Sequence, residues 1–524
     1  MITEQKSLKD KKLLLLLLIF IVLELFLINL RGVWAPDEAR YSRVAYEMKE
    51  KQSFLIPYLN GEIYREKPPL FFDLAILISI FDKTVPHYSV KLVSLISSLA
   101  VIFLSILIAK KFGLRKIILV PLILIGTPKF LWQAQFGQID MLLCAFVLLQ
   151  FFIGISIIEK KDRSYIKLII LGFTSFLAIA SKGPAGILPV YIALIICLIF
   201  VKRPHLTLDF GGSILVALAF TAIWLYFSGL SAGFDYPKSL IFKQTFTRYL
   251  EPWHHYAPFY YYFQVVWADG FPFIFLFVPA IIQTFKERWL KEKQFLYTFI
   301  LIVVYLLFFS ASSGKRSVYI LPIYPLIAIY LSFAIEKWMV CGFPKKYLAI
   351  FSSIIGLIPI ISVPFLLKKI NYIFSDEIVI LLCGIISFII GITIFLYYLL
   401  KKIEFYPQIL TIFSLLLMFS ALPTVHSLDN VKVPYDVVSS VKPFTKCGIK
   451  VGVFPNLLPS INYYLESNTE VFKNQDIESA KTFLTKGNLL LAKEKDAPKS
   501  IKSISTIIWQ GAIGDDTYLL LASK

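Results

Sequence analysis

Runs of about 20 mostly apolar residues recur between residues 13 and 422, separated by short polar and mainly basic connections. A helix of that length crosses a hydrocarbon core roughly 30 Å thick. The pattern predicts spans near 13–30, 90–109, 117–131, 141–158, 165–181, 185–201, 210–228, 264–284, 295–311, 317–335, 347–366, 377–400 and 406–422. Leu70–Phe81 is apolar but short, which predicts a half-inserted or interfacial helix. Lys6, Lys9, Lys11 and Lys12 precede Leu13–Leu30, a core too long for a signal peptide and without a small-residue cleavage site. The expectation is an uncleaved first span.

After residue 422 the pattern changes. Ile449–Phe454, Leu489–Ala492 and Tyr518–Leu521 are apolar runs of strand length among polar, Lys-rich stretches. They predict a small α/β domain over 423–524. The fold class expected is therefore an all-α polytopic membrane protein of about 13 transmembrane helices with a C-terminal α/β domain. The first domain covers 1–422, with outer loops at 31–89 and 229–263. Neither a fixed-period repeat nor a matched pair of broken helices, the marks of many transporters, is visible.

Composition agrees. The chain is 57% hydrophobic and 17% charged, with a mean hydropathy of +0.73, which excludes a water-soluble globule. Its net charge of +19 is spread in short clusters between spans, which argues against a nucleic-acid footprint. Cys144, Cys197, Cys341, Cys383 and Cys447 show neither CxxC nor metal-site spacing, so no disulfide framework is expected.

With the N-terminal lysines cytoplasmic, alternation puts Lys110/Lys111/Arg115/Lys116, Lys160/Lys161/Arg163, Lys202/Arg203, Lys286/Arg288/Lys291/Lys293, Lys345/Lys346 and Lys401/Lys402 inside. That is where the positive-inside rule wants them. Arg40, Arg43, Arg65, Lys67, Lys182, Arg248, Lys315 and Arg316 then lie outside, against the rule. An anionic ligand at the outer face is the simplest reason.

Five constellations share that face. In Trp34-Ala35-Pro36-Asp37-Glu38-Ala39-Arg40-Tyr41, a proline and two acids form a helix start. Asp37, Arg40 and Tyr41 then share one helix face; the plain alternative is that Asp37 and Glu38 only complement the helix dipole. In Tyr64-Arg65-Glu66-Lys67-Pro68-Pro69 the prolines hold Glu66 and Lys67 at the bilayer surface. Lys67 there suits a lipid phosphate, or ordinary snorkelling. Asp140, in Gln138-Ile139-Asp140-Met141, opens a span and is either functional or a cap. Arg248 precedes His254-His255-Tyr256-Ala257-Pro258-Phe259-Tyr260-Tyr261-Tyr262. An aromatic belt explains the tyrosines. It does not explain His254 and His255, which with Glu66 form a candidate divalent-metal set. Lys315 and Arg316, in Gly314-Lys315-Arg316-Ser317-Val318-Tyr319-Ile320-Leu321-Pro322-Ile323-Tyr324-Pro325, suit a phosphate.

Together these motifs, in order over residues 34–325, resemble the membrane-integral C-type glycosyltransferases. The resemblance is to the bacterial branch that groups aminoarabinose transferase with protein O-mannosyltransferases. It implies an inverting glycosyltransferase of the bacterial inner membrane, with active site and C-terminus periplasmic. The enzyme would move a sugar from an undecaprenyl-phosphate carrier to a lipid A, protein or glycan acceptor.

In that reading Asp37 is the main catalytic carboxylate, Glu38 completes the family's acidic dipeptide, and Asp140 matches its second acid. Arg40, Tyr41, Tyr64, Lys67 and Tyr324 match positions facing the carrier phosphate, joined by Arg248, Lys315 and Arg316. Glu66 with His255 or His254 matches a metal pair for Zn, Mg or Mn. No organic cofactor and no nucleic acid is implied, and a monomer is expected. The rival from another class is a lipid or polysaccharide transporter or flippase, which needs ionisable residues deep in the spans; Glu24 is among very few.

Overall fold

The structure is a computed structural model of the 524-residue chain. It describes residues 2–160, 164–241, 256–342, 344, 347, 405–420, 425, 428–429, 431–514 and 516–524, with 2–10 as backbone only. These fall into two compact units. Unit 1 holds Met1–Ile28, Arg65–Phe71 and Lys91–Pro423; unit 2 holds Asn29–Tyr64, Phe72–Val90 and Thr424–Lys524.

Unit 1 is helical. Among the described residues seven helices are long and apolar enough to cross a membrane: Lys11–Asn29, His87–Lys111, Ile139–Ile158, Tyr165–Lys182, Pro204–Ala232, Lys293–Ala311 and Ile323–Cys341. Shorter apolar helices occupy Pro184–Phe200 and Tyr406–Phe419. The spans expected at 347–366 and 377–400 lie outside the described residues, apart from Tyr347.

Two predicted spans are not single rods. The one expected at 117–131 is two helices, Leu119–Ile125 and Pro128–Gln135. Thr127 between them is extended (φ −102°, ψ 109°), because a residue preceding proline is pushed out of the helical region. Gly126 sits in the break, where a β-carbon would come within 2.6 Å of Phe273. The span expected at 264–284 is Tyr261–Asp269 and Ile274–Lys286, bent by 116°. Pro272 between them has no N–H to continue a helical ladder. Leu70–Ile78 is a nine-residue helix, about 14 Å at 1.5 Å per residue and too short to span.

Unit 2 joins the first loop to the C-terminal residues. Among its described residues are two sheets, a hairpin of β1 (Tyr58–Leu59) and β2 (Glu62–Ile63) and a separate sheet of five further strands. Those are β3 (Val451–Phe454), β4 (Glu470–Val471), β5 (Leu489–Lys493), β6 (Ser505–Ile513) and β7 (Asp516–Ser523), in spatial order β4-β3-β5-β7-β6. β3 runs parallel to β4 and β5, while β7 is antiparallel to β5 and β6. β3 and β5 are covered on both faces. Leu489 and Leu491 join Val437, Val438 and Val441 of helix Tyr435–Lys446 in one core. Leu490 and Ala492 join Ala480, Phe483 and Leu484 of helix Ile477–Thr485 in the other. The two-residue period of a strand produces that division.

The hairpin β1–β2 turns at Asn60 (φ 56°) and Gly61 (φ 81°), the left-handed pair that a two-residue turn of this hand demands. Three donors converge on the Glu47 carboxylate: Asn60 N–H, Gly61 N–H and Arg43 Nε, each at 2.8 Å. Asn60 also binds the C-terminal residues, donating Nδ2 to Thr469 O (3.0 Å) and accepting from Asn462 Nδ2 (2.6 Å) and Thr469 N (3.0 Å). Arg43 Nη2 reaches Asn468 Oδ1 at 2.7 Å.

Candidate functional site

In unit 2 the motif Trp34–Tyr41 forms the start of helix Asp37–Glu50. Both acids are buried, Asp37 at 4% and Glu38 at 0% exposure, yet their surroundings differ. Arg40 Nη2 donates to Asp37 Oδ1 at 2.6 Å, the i,i+3 pair that the helix spacing implies. Arg40 keeps 24% of its side chain exposed. Glu38 is closed off: Arg31 Nη1 and Nη2 donate to its two oxygens at 2.5 and 3.2 Å, and Trp34 N–H donates at 2.8 Å. The guanidinium of Arg31 lies 4.9 Å from the centre of the Trp34 ring. The dipole reading accounts for neither partner set. Tyr41 and Tyr64 are buried and pack edge-on against Phe72, with centroids 5.6 and 6.3 Å from it.

The segment leading into Trp34 is gripped by C-terminal residues of the same unit. Asp429 Oδ1 accepts from Gly32 N–H at 2.9 Å and from Trp34 Nε1 at 2.7 Å. The Tyr464 hydroxyl accepts from Val33 N–H at 2.9 Å. Burial raises the Tyr464 pKa above the usual range.

In unit 1 three of the remaining motifs meet. Gln138 holds the N-cap position of helix Ile139–Ile158, so Asp140, the second residue of the helix, is not the cap. Its carboxylate pairs with Lys182 Nζ, and that ammonium also lies 4.4 Å from the Tyr319 ring centre. Close by in sequence to Tyr319, Arg316 and Lys315 join a cleft of about 360 Å³ with Lys129, Gln138, Tyr261 and Ser317. Tyr256 bridges Gly314, and Tyr262 donates its hydroxyl to Arg316 O at 3.3 Å, which ties the tyrosine loop to the Lys315–Arg316 loop. Lys315 donates to Ala257 O at 3.0 Å and to Ser312 O; burial pushes its ammonium pKa down. Its charge is thus largely engaged in holding the two loops together. Lys129 pairs with Asp269 at 3.2 Å and donates to Ser317 at 2.7 Å.

Glu66 and Lys67 are half-buried in the Arg65–Phe71 segment of unit 1, so the motif Leu59–Leu70 changes unit between Tyr64 and Arg65. Arg248, His254 and His255 lie outside the described residues. Of the candidate metal set only Glu66 is described, and among the described residues no group of three His, Cys, Asp or Glu side chains is placed to hold an ion.

Lys182, Lys129 and Asp269 were absent from the sequence-derived site. Lys182 carried a signal, being one of the cations that the expected topology puts on the wrong side of the positive-inside rule. Asp269, in Trp267-Ala268-Asp269-Gly270, carried the same signal as Asp140, an acid at the edge of an apolar run. Lys129 and Asp429 carried none.

A multi-pass helical bundle with acids and cations gathered in its loop motifs, together with an α/β domain, has the fold of the membrane-integral C-type glycosyltransferases. The fold is similar to that of ArnT from Cupriavidus metallidurans. The TM-score is 0.77 in the apo state at 15% identity, covering 98% of each chain. It is 0.75 for the form bound to undecaprenyl phosphate, covering 97% of each. Residues 11–232 match the family described as dolichyl-phosphate-mannose-protein mannosyltransferase. The undecaprenyl phosphate-alpha-4-amino-4-deoxy-L-arabinose arabinosyl transferase of Serratia proteamaculans is 26% identical over 404 residues, 73% of this chain and 71% of that protein. The enzyme of the same description from Shewanella sediminis is 25% identical over 484 residues, 88% and 84% of the two chains. Over residues 11–232 the chain is thus similar to this mannosyltransferase family, and over most of its length to the aminoarabinose transferases.

Proposed function

We propose that the protein transfers a sugar from an undecaprenyl-phosphate carrier to an acceptor oxygen of lipid A, a protein or a glycan, at the periplasmic face of a bacterial inner membrane. The observation that carries this reading is the buried Asp37 carboxylate held by the partly exposed Arg40 at the head of helix Asp37–Glu50. A carboxylate so held is oriented to accept a hydrogen bond, and its partner is a cation of the kind a phosphate requires. The family match favours this reading over a transporter.

The reaction forms a bond from the acceptor oxygen to the anomeric carbon and breaks the bond from that carbon to the carrier phosphate, with inversion. A hydroxyl acceptor delivers its proton to Asp37 as general base. The carrier phosphate leaves as an anion, so cationic and hydrogen-bond donors do more for the barrier than an acid does. Removing one such donor typically costs about 2.7–4 kcal/mol. Arg40, Lys67, Arg248 and Arg316 supply charge, and Tyr41, Tyr64 and Tyr324 shape the place of the carrier. Asp140, fixed by Lys182, is the second acid. Lys315 contributes chiefly by holding its loop. Glu38 serves as a positioning residue, because Arg31 and Trp34 N–H already take both its oxygens.

A carboxylate and imidazoles are donors suited to zinc or manganese, and Glu66 with His255 or His254 is the proposed set; the ion would add positive charge near the leaving phosphate. Chelation is then expected to slow transfer by wild type but not by Glu66→Gln. Equal rates with and without chelator remove the metal.

Transfer of labelled sugar from synthetic polyprenyl-phosphate donors to a membrane extract tests the whole reading, with wild type set against Asp37→Asn. Transfer lost in the variant supports it, and the labelled product identifies the acceptor. Equal transfer by both removes Asp37 from its role.

A further inference from the structure

We infer that the C-terminal domain contributes a positioning residue, Asp429, which sets the catalytic Asp37 by gripping the strand of chain that precedes it. The inference rests on the proposed role of Asp37, and it gives the α/β domain a part in the reaction.

Every backbone N–H of residues 32–34 is taken by a side chain. Asp429 Oδ1 receives Gly32 N–H (2.9 Å), Tyr464 Oη receives Val33 N–H (2.9 Å) and Glu38 Oε2 receives Trp34 N–H (2.8 Å). Asp429 Oδ1 also receives the indole Nε1 of Trp34 at 2.7 Å. One buried carboxylate, 7% exposed, therefore fixes both the backbone and the ring of the residue at the head of the acidic motif. Hydrogen bonds to a charged acceptor are about twice as strong as neutral ones.

The slot also fits closely. A β-carbon on Gly32 would come within 2.5 Å of Tyr464 Oη, 2.6 Å of Tyr435 Oη and 2.9 Å of Val433 Cγ2. These three neighbours and Asp429 all belong to the C-terminal stretch.

The grip reaches Asp37 over a short and stiff path. Trp34 O accepts from Ala39 N–H at 3.2 Å in the first helical turn, and Arg31, beside Gly32, is locked to Glu38. The position of residues 31–34 thus determines where the helix begins, and Asp37 is its first residue. A shift of the order of 1 Å in a reacting group can cost a hundredfold in rate.

The experiment compares Asp429→Ala, Asp429→Asn and Tyr464→Phe in the full-length detergent-solubilised protein. Hydrogen exchange of the peptide covering residues 31–36 is measured together with kcat and KM for sugar transfer. Asp429→Ala is expected to speed exchange at Gly32 and to lower kcat about 10- to 100-fold, with KM for the donor changed less than about threefold. Asp429→Asn keeps an oxygen acceptor at the same place and is expected to restore most of kcat. Tyr464→Phe removes only the Val33 acceptor and gives a smaller change of the same kind.

Faster exchange with an unchanged kcat overturns the inference, since the grip would then exist without positioning anything. Exchange and kcat both unchanged overturn it as well, as does a loss confined to KM. Full activity of Asp37→Asn would instead sink the catalytic reading, and the exchange data would still report on the grip.

Discussion

Glu38→Gln separates two carboxylates that stand side by side in the sequence. In the native protein the Arg31–Glu38 pair is fully buried, with 0% side-chain exposure for both partners and contacts of 2.5 and 3.2 Å. The variant keeps the shape and one oxygen acceptor but removes the negative charge, which strands a guanidinium away from water. At a charge separation near 4 Å and an effective dielectric of about 20, the lost attraction is about 4 kcal/mol. Breaking one half of a buried pair typically costs about 3–5 kcal/mol, so the two estimates agree.

Replacing both partners, as in Arg31→Met/Glu38→Leu, removes the stranded charge and is expected to recover most of that loss; Trp34 N–H, left without its acceptor, keeps about 1–3 kcal/mol of it. The assay is thermal unfolding in detergent for both variants, alongside sugar transfer at a temperature where each is folded. Glu38→Gln is expected to be destabilised yet still measurably active, whereas Asp37→Asn is stable and inactive. A Glu38→Gln protein that unfolds like wild type would refute the argument. So would one that is fully folded and as inactive as Asp37→Asn, because Glu38 would then take part in the chemistry.

Other expectations follow from the same structure. Lys182→Met leaves the Asp140 carboxylate, now 9% exposed, without its cation and is expected to destabilise by about 3 kcal/mol; Asp140→Asn/Lys182→Met restores stability but not transfer, and full transfer by the double variant would exclude the pair from the reaction. Asp73, on helix Leu70–Ile78, has its pKa raised to about 8 by burial, and among the described residues its Oδ1 has no hydrogen-bond partner. Its folded pKa lies above the unfolded one, so its contribution is complete below about pH 4 and is lost as pH rises through about 8. The expected slope in that window is about 1.4 kcal/mol per pH unit. Asp73→Asn should flatten it, and identical slopes would show that the carboxyl titrates normally. For orientation, a cysteine at Glu62 is expected to react with an impermeant reagent added outside while one at Lys161 stays protected; the reverse pattern overturns the periplasmic assignment.

The sequence by itself determined the class. Apolar runs of span length and the clustered lysines between them specify a polytopic membrane protein because a bilayer tolerates only helices or closed barrels. The strands at 451–454, 489–493 and 516–523 were also visible, since buried strands read as short apolar runs. The β6 strand was not, because most of its residues are exposed and its pattern is weak.

Tertiary structure decided the breaks and the partners. Thr127 and Pro272 divide helices that averaged hydropathy joins into single spans, because hydropathy does not register a missing N–H or an excluded backbone angle. Asp37 and Glu38 are chemically alike and adjacent, and one faces Arg40 while the other is enclosed by Arg31. Helical geometry places successive residues about 100° apart, which separated them, but only the packing chose which became enclosed. Lys182 meets Asp140 across 42 residues, and Asp429 meets Gly32 across 397. Pairings between charges so far apart in sequence leave no local periodicity, so they emerge only when the chain is folded.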